Sequence, residues 1–205
     1  MRGRFITLEG IDGAGKSTHM RWIARFLQRR GVRVKMTREP GGTAVGEKLR
    51  RMVLGKGQRL HPETETLLMF AARREHLDKL ILPTLEKGTW VLCDRFTDAT
   101  FAYQSGGSGV PWDKVGTLEA WVHQGLQPDL TILFDLSPEL GRQRAGRKRM
   151  PDRFEREREA YYQRVREAYR RRARADAPRV QVLDAGGSRI EVRKELEDIL
   201  TRFCK

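Results

Sequence analysis

Short apolar runs alternate along the chain with longer stretches in which apolar residues return every three or four positions. Phe5-Ile6-Thr7-Leu8 is an apolar run of strand length, after which Met20, Ile23, Ala24 and Leu27 recur at helical spacing. Gly31 supplies a helix stop, and Val32-Arg33-Val34-Lys35-Met36 alternates as a half-buried strand does. Val45, Leu49, Met52 and Val53 form one helix face that ends at Gly55-Lys56-Gly57, with Arg50 off that stripe. A longer helical pattern runs from about Glu63 to Glu86 through Leu67, Phe70, Ala71, Leu77, Ile81 and Leu85. Trp90-Val91-Leu92-Cys93-Asp94 predicts a buried strand, and Tyr103-Gln104-Ser105-Gly106-Gly107 leads into a glycine-rich loop.

Further on, Val115, Leu118, Trp121 and Val122 mark a helix over about 113–125, and Leu130-Thr131-Ile132-Leu133-Phe134-Asp135 marks a strand. Ser137-Pro138-Glu139 opens a helix with a cap and a proline at its first position. A helix from about Arg153 to Ala175, a strand at Val180–Asp184 and a closing helix from Ile190 to Phe203 complete the pattern. Five strands alternating with helices predict one α/β domain over residues 1–205. Its core would be a five-stranded parallel sheet with helices on both faces.

Two segments fall outside this rhythm. Thr37-Arg38-Glu39-Pro40-Gly41-Gly42-Thr43 is too rich in Pro and Gly for a regular element, and it follows a strand. Open α/β sheets bind ligands beyond the carboxyl ends of their strands. Residues 142–153 combine Arg142, Arg144, Arg147, Lys148, Arg149 and Arg153 with the breakers Gly146 and Pro151. That composition predicts a lid closing over polyphosphate, and it fits a solvated basic loop equally well.

Composition narrows the class. Of 205 residues, 39% are apolar and 33% charged, and no run is long enough to span a membrane. The chain enters its first apolar run at once and reads as cytoplasmic. Cys93 and Cys204 make neither a disulfide framework nor a metal-ligand spacing. The net charge of +14 raises the question of nucleic acid, but Glu155, Glu157 and Glu159 intersperse the arginines of the most basic stretch. No polynucleotide or membrane partner is therefore expected. Asparagine is absent, which excludes the Asn-Lys-x-Asp guanine-reading motif.

The chemistry concentrates in Gly10-Ile11-Asp12-Gly13-Ala14-Gly15-Lys16-Ser17, followed by Thr18. Two glycines four residues apart, then Lys and a hydroxyl residue, between a strand and a helix, form a phosphate-binding loop. Backbone N–H groups converge there on phosphate and the helix N-terminus adds positive potential. Lys16 can reach the β- and γ-phosphates of a nucleoside triphosphate, and Ser17 can ligate Mg²⁺. Asp94 ends the strand expected beside the first, where a carboxylate faces that metal. Arg95 follows it immediately. Phe70 and Arg74 are four apart and share a helix face, and pattern alone favours a core position for Phe70.

Taken together, these stretches resemble the bacterial thymidylate kinases, almost from end to end. The resemblance rests on Glu9–Thr18, on Thr37–Thr43, on Asp94-Arg95 with Ala102-Tyr103-Gln104, and on Asp152-Arg153-Phe154-Glu155. It implies a P-loop NTPase fold and transfer of the γ-phosphoryl group of ATP to dTMP, with Mg²⁺ as cofactor and a homodimeric assembly. By resemblance, Phe70 stacks on thymine, Arg74 bonds a base carbonyl, and Thr100 with Gln104 reads the pyrimidine edge. Tyr103 crowds C2′ of the sugar and Asp12 lies near the 3′-hydroxyl. Arg38, Arg50 and Arg95 grip the dTMP phosphate, with Glu39 in the same Mg²⁺-rich corner. Gly13 stands where another branch of the family has Arg, so the resemblance places the catalytic arginine in the lid. Arg144, Arg147 and Arg149 are the candidates, with Arg153 behind them, and the resemblance alternatively sets Arg144 against adenine. Phe96 stands where Tyr or His is common, and Ala99 where Ser is usual.

Overall fold

A computed structural model describes residues 2–55, 60–144 and 153–205, with side chains throughout except those of 153–158. Five strands form one parallel sheet: β1 (Phe5–Glu9), β2 (Val34–Arg38), β3 (Trp90–Asp94), β4 (Leu130–Asp135) and β5 (Val180–Asp184). Their order is β2-β3-β1-β4-β5, so β1 lies at the centre with β3 and β4 on either side. The central strand is buried along its whole length. Of its two buried polar side chains, Thr7 bonds Thr131 of β4 at 2.7 Å and Glu9 lies at the carboxyl end, beneath the site described below.

Successive side chains of a strand point to opposite faces, and two separate cores result. Ile6, Leu8 and Leu92 face one side and pack with α1 (Lys16–Gln28), α8 (Arg153–Ala175) and α9 (Arg189–Cys204) through Ile23, Leu27, Tyr169, Leu196 and Leu200. Phe5, Val91 and Cys93 face the other. There they meet α3 (Pro62–His76), its continuation and α6 (Trp112–His123) through Phe70, Leu77, Ile81, Leu85, Val115 and Val122. Helices cover both faces, as the strand–helix alternation requires.

Three local features differ from the sequence reading. Strand β2 runs two residues further than the alternation shows, because its pairing with β3 carries through Thr37↔Cys93 and Arg38↔Asp94. The long helical pattern is not uniform. After α3 it widens into a π-helical stretch at Leu77–Ile81 and resumes as α4 (Leu82–Glu86). The expected glycine-rich loop is instead helical: α5 (Thr97–Thr100) passes into a second π-helical stretch, Phe101–Gly107. Its glycines answer to packing. A Cβ on Gly106 would lie 2.4 Å from Cβ of Ala168, and one on Gly107 would lie 2.5 Å from the Tyr161 ring, both on α8.

Two further helices matter to the site. α2 (Ala44–Leu54) is capped by Thr43, whose side chain accepts from the Gly46 amide at 2.9 Å. α7 (Pro138–Arg144) leads toward the segment expected to form the lid. Arg147 and Arg149 lie outside the described residues, as does the side chain of Arg153. No described helix is long and apolar enough to cross a membrane.

Candidate active site

A cavity of about 930 Å³ opens beyond the carboxyl ends of β1, β2 and β3. At one end the wall is the glycine loop, from Asp12 through His19. Gly10 and Ile11 lie beneath it rather than on its surface, with Ile11 buried in the core. Gly15 takes the left-handed conformation (φ 90°) at the N-cap of α1. Lys16 is buried, and its ammonium donates to the carbonyls of Gly10 (2.8 Å) and Ile11 (3.0 Å), bracing the loop from inside. Burial, helped by the positive charge of Arg95, lowers its pKa to about 8, against the pull of Asp94, Asp12 and Glu9.

Gly13 has φ 83°, and a Cβ there would meet the carbonyl oxygen of Gly141 on α7 at 2.8 Å. An arginine at this position would need both a strained backbone and a displaced helix. Arg144 lies on the same cavity wall, with its guanidinium on the carbonyls of Ala185 (2.6 Å), Gly186 (3.0 Å) and Gly187 (3.2 Å). Those carbonyls precede α9, whose Ser188–Glu191 capping box fixes the turn. His19, Arg189 and Val192 complete this end.

Mid-cavity, Arg95 follows β3 with φ 69°, an uncommon conformation for a residue with a side chain. Its Nη2 donates to Asp12 Oδ1 (2.7 Å) and to the Tyr103 hydroxyl (3.0 Å), and its Nη1 donates to the Tyr169 hydroxyl (3.0 Å). Burial disfavours the cation, but these oxygens and the nearby Glu9 outweigh it and hold the guanidinium firmly charged. Beneath lies Glu9, with no exposed surface. Burial, then the neighbouring Asp98, raises its pKa to about 8, against Arg95, the Phe96 amide and Tyr169.

Asp94 lines the cavity, and its Oδ1 is buried with no hydrogen-bond partner. Ser17 stands on the adjoining wall. An unpaired carboxylate oxygen and a hydroxyl lining one cavity fit Mg²⁺, which takes few protein oxygens and completes its shell with phosphate and water. Consistent with so sparse a donor set, no cluster of three or more metal-ligating side chains occurs among the described residues.

The opposite end is walled by Arg38, Glu39, Pro40, Arg50, Val53, Leu54, Glu65, Met69, Ala99, Tyr103 and Gln104. Arg50 Nη1 donates to the Pro40 carbonyl (2.7 Å), and the half-exposed Arg38 pairs with Glu47 (3.2 Å). Glu39 is not free for a ligand. Its Oε2 accepts from Arg73 Nε at 2.7 Å and its Oε1 bonds His76 Nδ1 at 3.0 Å, while His76 Nε2 bonds Thr37 Oγ1 at 2.7 Å. Burial alone would raise the Glu39 pKa, but Arg73 and His76 bring it below the ordinary value.

Here the residues expected on α3 shift by one position. Phe70 is in the second core and does not line the cavity; Met69 does. Arg74 turns outward to the Val122 carbonyl (2.9 Å) and Asp78. Arg73 turns inward, fully buried, donating to Glu39 and to Thr100 Oγ1 (3.0 Å) over the rings of Phe70 and Phe96. Its Nη1 is buried without a hydrogen-bond partner. Thr100 lies behind the wall with it, whereas Gln104 is on the wall, donating to Glu65 (2.7 Å) with its own Oε1 unpartnered. The spacing Glu65, Met69, Arg73, each four residues on, was the available signal. For His19 there was none.

A parallel sheet in this order, a glycine loop bracing a lysine, and one cavity running from that loop to three arginines define a P-loop NTPase fold with room for two phosphorylated ligands. The chain belongs to the thymidylate kinase family. The thymidylate kinase family model matches residues 8–196. A thymidylate kinase of Nitrosomonas eutropha is 55% identical over 202 residues, covering 98% of this chain and 94% of that protein. One of Methylobacillus flagellatus is 56% identical over 203 residues, 99% of each. The crystal structure of thymidylate kinase from Ehrlichia chaffeensis superposes with a TM-score of 0.81 at 34% identity, covering 98% of this chain and all of that one.

Proposed function

We propose that the cavity aligns ATP and dTMP end to end for the family's reaction, transfer of the γ-phosphoryl group to give dTDP and ADP. ATP lies along the glycine loop, its phosphates on the amides of residues 13–18 and its base toward Arg144 and His19. The acceptor phosphate is gripped by Arg38, Arg50 and Arg95. Asp12 and Tyr103 border the sugar. Met69, Gln104 and the buried Arg73–Thr100 pair shape the base site, in place of Phe70 and Arg74. The observation that carries this reading is Arg95, held between Asp12 of the loop and Tyr103 of the opposite wall.

The acceptor phosphate is already an oxyanion at neutral pH, so no general base is needed; alignment and charge neutralisation are the task. Lys16 and Arg95 flank the path between donor and acceptor, and Arg147 or Arg149 supplies the remaining charge. Ser17 and Asp94 would hold Mg²⁺, which when bound screens the polyphosphate charge. Closure of residues 142–153 would exclude water, the competing acceptor.

The protein acts in the cytoplasm, where both substrates occur, and without nucleic acid or membrane. In keeping with this, α8 directs three of its arginines to carboxylates of the fold: Arg166 and Arg170 to Asp135, and Arg172 to Asp98. It works as a homodimer, for which Val45, Met52, Leu67 and Trp121 offer exposed apolar surface on α2, α3 and α6. Sedimentation at micromolar concentration should give about twice the 23.7 kDa chain mass, and a monomer removes that assignment. ATP consumption measured with dTMP, dUMP, dCMP, dGMP or no acceptor tests the reaction itself. Turnover should be greatest with dTMP and negligible alone. Dominant acceptor-free hydrolysis would overturn the reading.

A further inference from the structure

The three oxygens around the Arg95 guanidinium come from different parts of the chain, and one of them belongs to no substrate site. Tyr169 sits on α8, 2% exposed, packed in the core with its hydroxyl pointing into the site from behind. That hydroxyl accepts from Arg95 Nη1 at 3.0 Å and donates to Glu9 Oε2 at 2.9 Å. The other oxygen of Glu9 accepts from the Phe96 amide at 2.7 Å. Phe96 directly follows Arg95, whose left-handed backbone orients that amide.

These bonds form a closed ring: Arg95 backbone, Phe96 amide, Glu9 carboxyl, Tyr169 hydroxyl, Arg95 guanidinium. Glu9 thereby holds Arg95 at both ends, at the main chain directly and at the tip through Tyr169. We propose that Tyr169 is a positioning residue for phosphoryl transfer, relaying the buried Glu9 carboxyl to the tip of Arg95 and fixing where its charge sits in the cavity. The inference rests on the role given to Arg95 above.

The physical case is one of degrees of freedom. An arginine side chain has many rotamers, and Asp12, the cavity-side partner, has a side chain 75% exposed. A partner that accessible constrains the guanidinium weakly, because water competes for the same bonds. Tyr169 is rigid and buried, with its ring in edge contact with Tyr103 at 6.3 Å between centroids. Removing its hydroxyl leaves Arg95 Nη1 and Glu9 Oε2 each short of a partner in a buried place, while the ring and the core around it stay intact.

A double-mutant cycle on the full chain separates this role from a merely structural one. Tyr169→Phe should lower kcat about tenfold or more, the scale of a hydrogen bond to a charged group, with the KM for dTMP within about threefold and the chain still folded, by circular dichroism, at the assay temperature. In an Arg95→Ala background, where kcat is already reduced by orders of magnitude, the same substitution should change kcat less than about twofold. An equal loss in both backgrounds, or full kcat in Tyr169→Phe beside a crippled Arg95→Ala, overturns the proposal. Near-normal kcat in Arg95→Ala alone overturns the assignment of Arg95 itself. Should Tyr169→Phe melt below the assay temperature, Glu9→Gln is put through the same cycle, with the same results required.

Discussion

The two ends of the cavity are made of different material. The end proposed for the donor is largely main chain: glycines in left-handed conformations, amides at the start of α1, and carbonyls of residues 10, 11 and 185–187 held by Lys16 and Arg144. The end proposed for the acceptor is largely side chain: Arg38, Arg50, Glu65, Met69, Tyr103 and Gln104, backed by the hydrogen-bonded series Thr37–His76–Glu39–Arg73–Thr100. Main chain can cradle any triphosphate but reads no base. Side chains held in a buried network can tell one base from another, because an unmatched group strands partners that have no water to turn to. The division suits an enzyme whose donor is generic and whose acceptor is specific.

The largest effect expected from this contrast is at the donor end. Lys16→Ala removes both the brace across the loop and the cation beside the phosphates. The expected loss in kcat/KM for ATP is about 100- to 1000-fold with the fold retained. Steady-state kinetics with circular dichroism check it, and a loss below about tenfold would mean that the loop holds its shape and charge without the lysine.

A smaller effect sharpens the same point through pH. With its pKa lowered to about 8 by burial, Lys16 of the free enzyme loses its proton as pH rises through that value. The kcat/KM for ATP should then fall about tenfold per pH unit above 8. In the complex, bound triphosphate favours the ammonium, so kcat should hold to higher pH. A kcat/KM that stays level to pH 9.5 would contradict the assignment.

The same contrast explains what could be read along the chain. Main-chain devices write themselves locally. The glycine spacing of residues 10–15, the apolar runs or alternation of the five strands and the carboxylate ending β3 are each visible within ten residues. Side-chain devices do not. Phe70 and Arg74 share a helix face, and so do Met69 and Arg73; which face turns to the cavity is decided by packing against α2 and α6, which no local pattern reports. Glu9 and Tyr169, 160 residues apart, meet only through the sheet order. Gly106 and Gly107 looked like a loop because the helix they admit, α8, begins some fifty residues later.

The register of α3 is therefore where the account is most exposed. The direct measurement is the KM for dTMP in Arg73→Gln and Arg74→Gln, made side by side with the KM for ATP as internal control. Arg73→Gln should raise the KM for dTMP about 100-fold and leave that for ATP within about threefold, while Arg74→Gln leaves both within about threefold. A large rise in the KM for dTMP with Arg74→Gln, and none with Arg73→Gln, would contradict it.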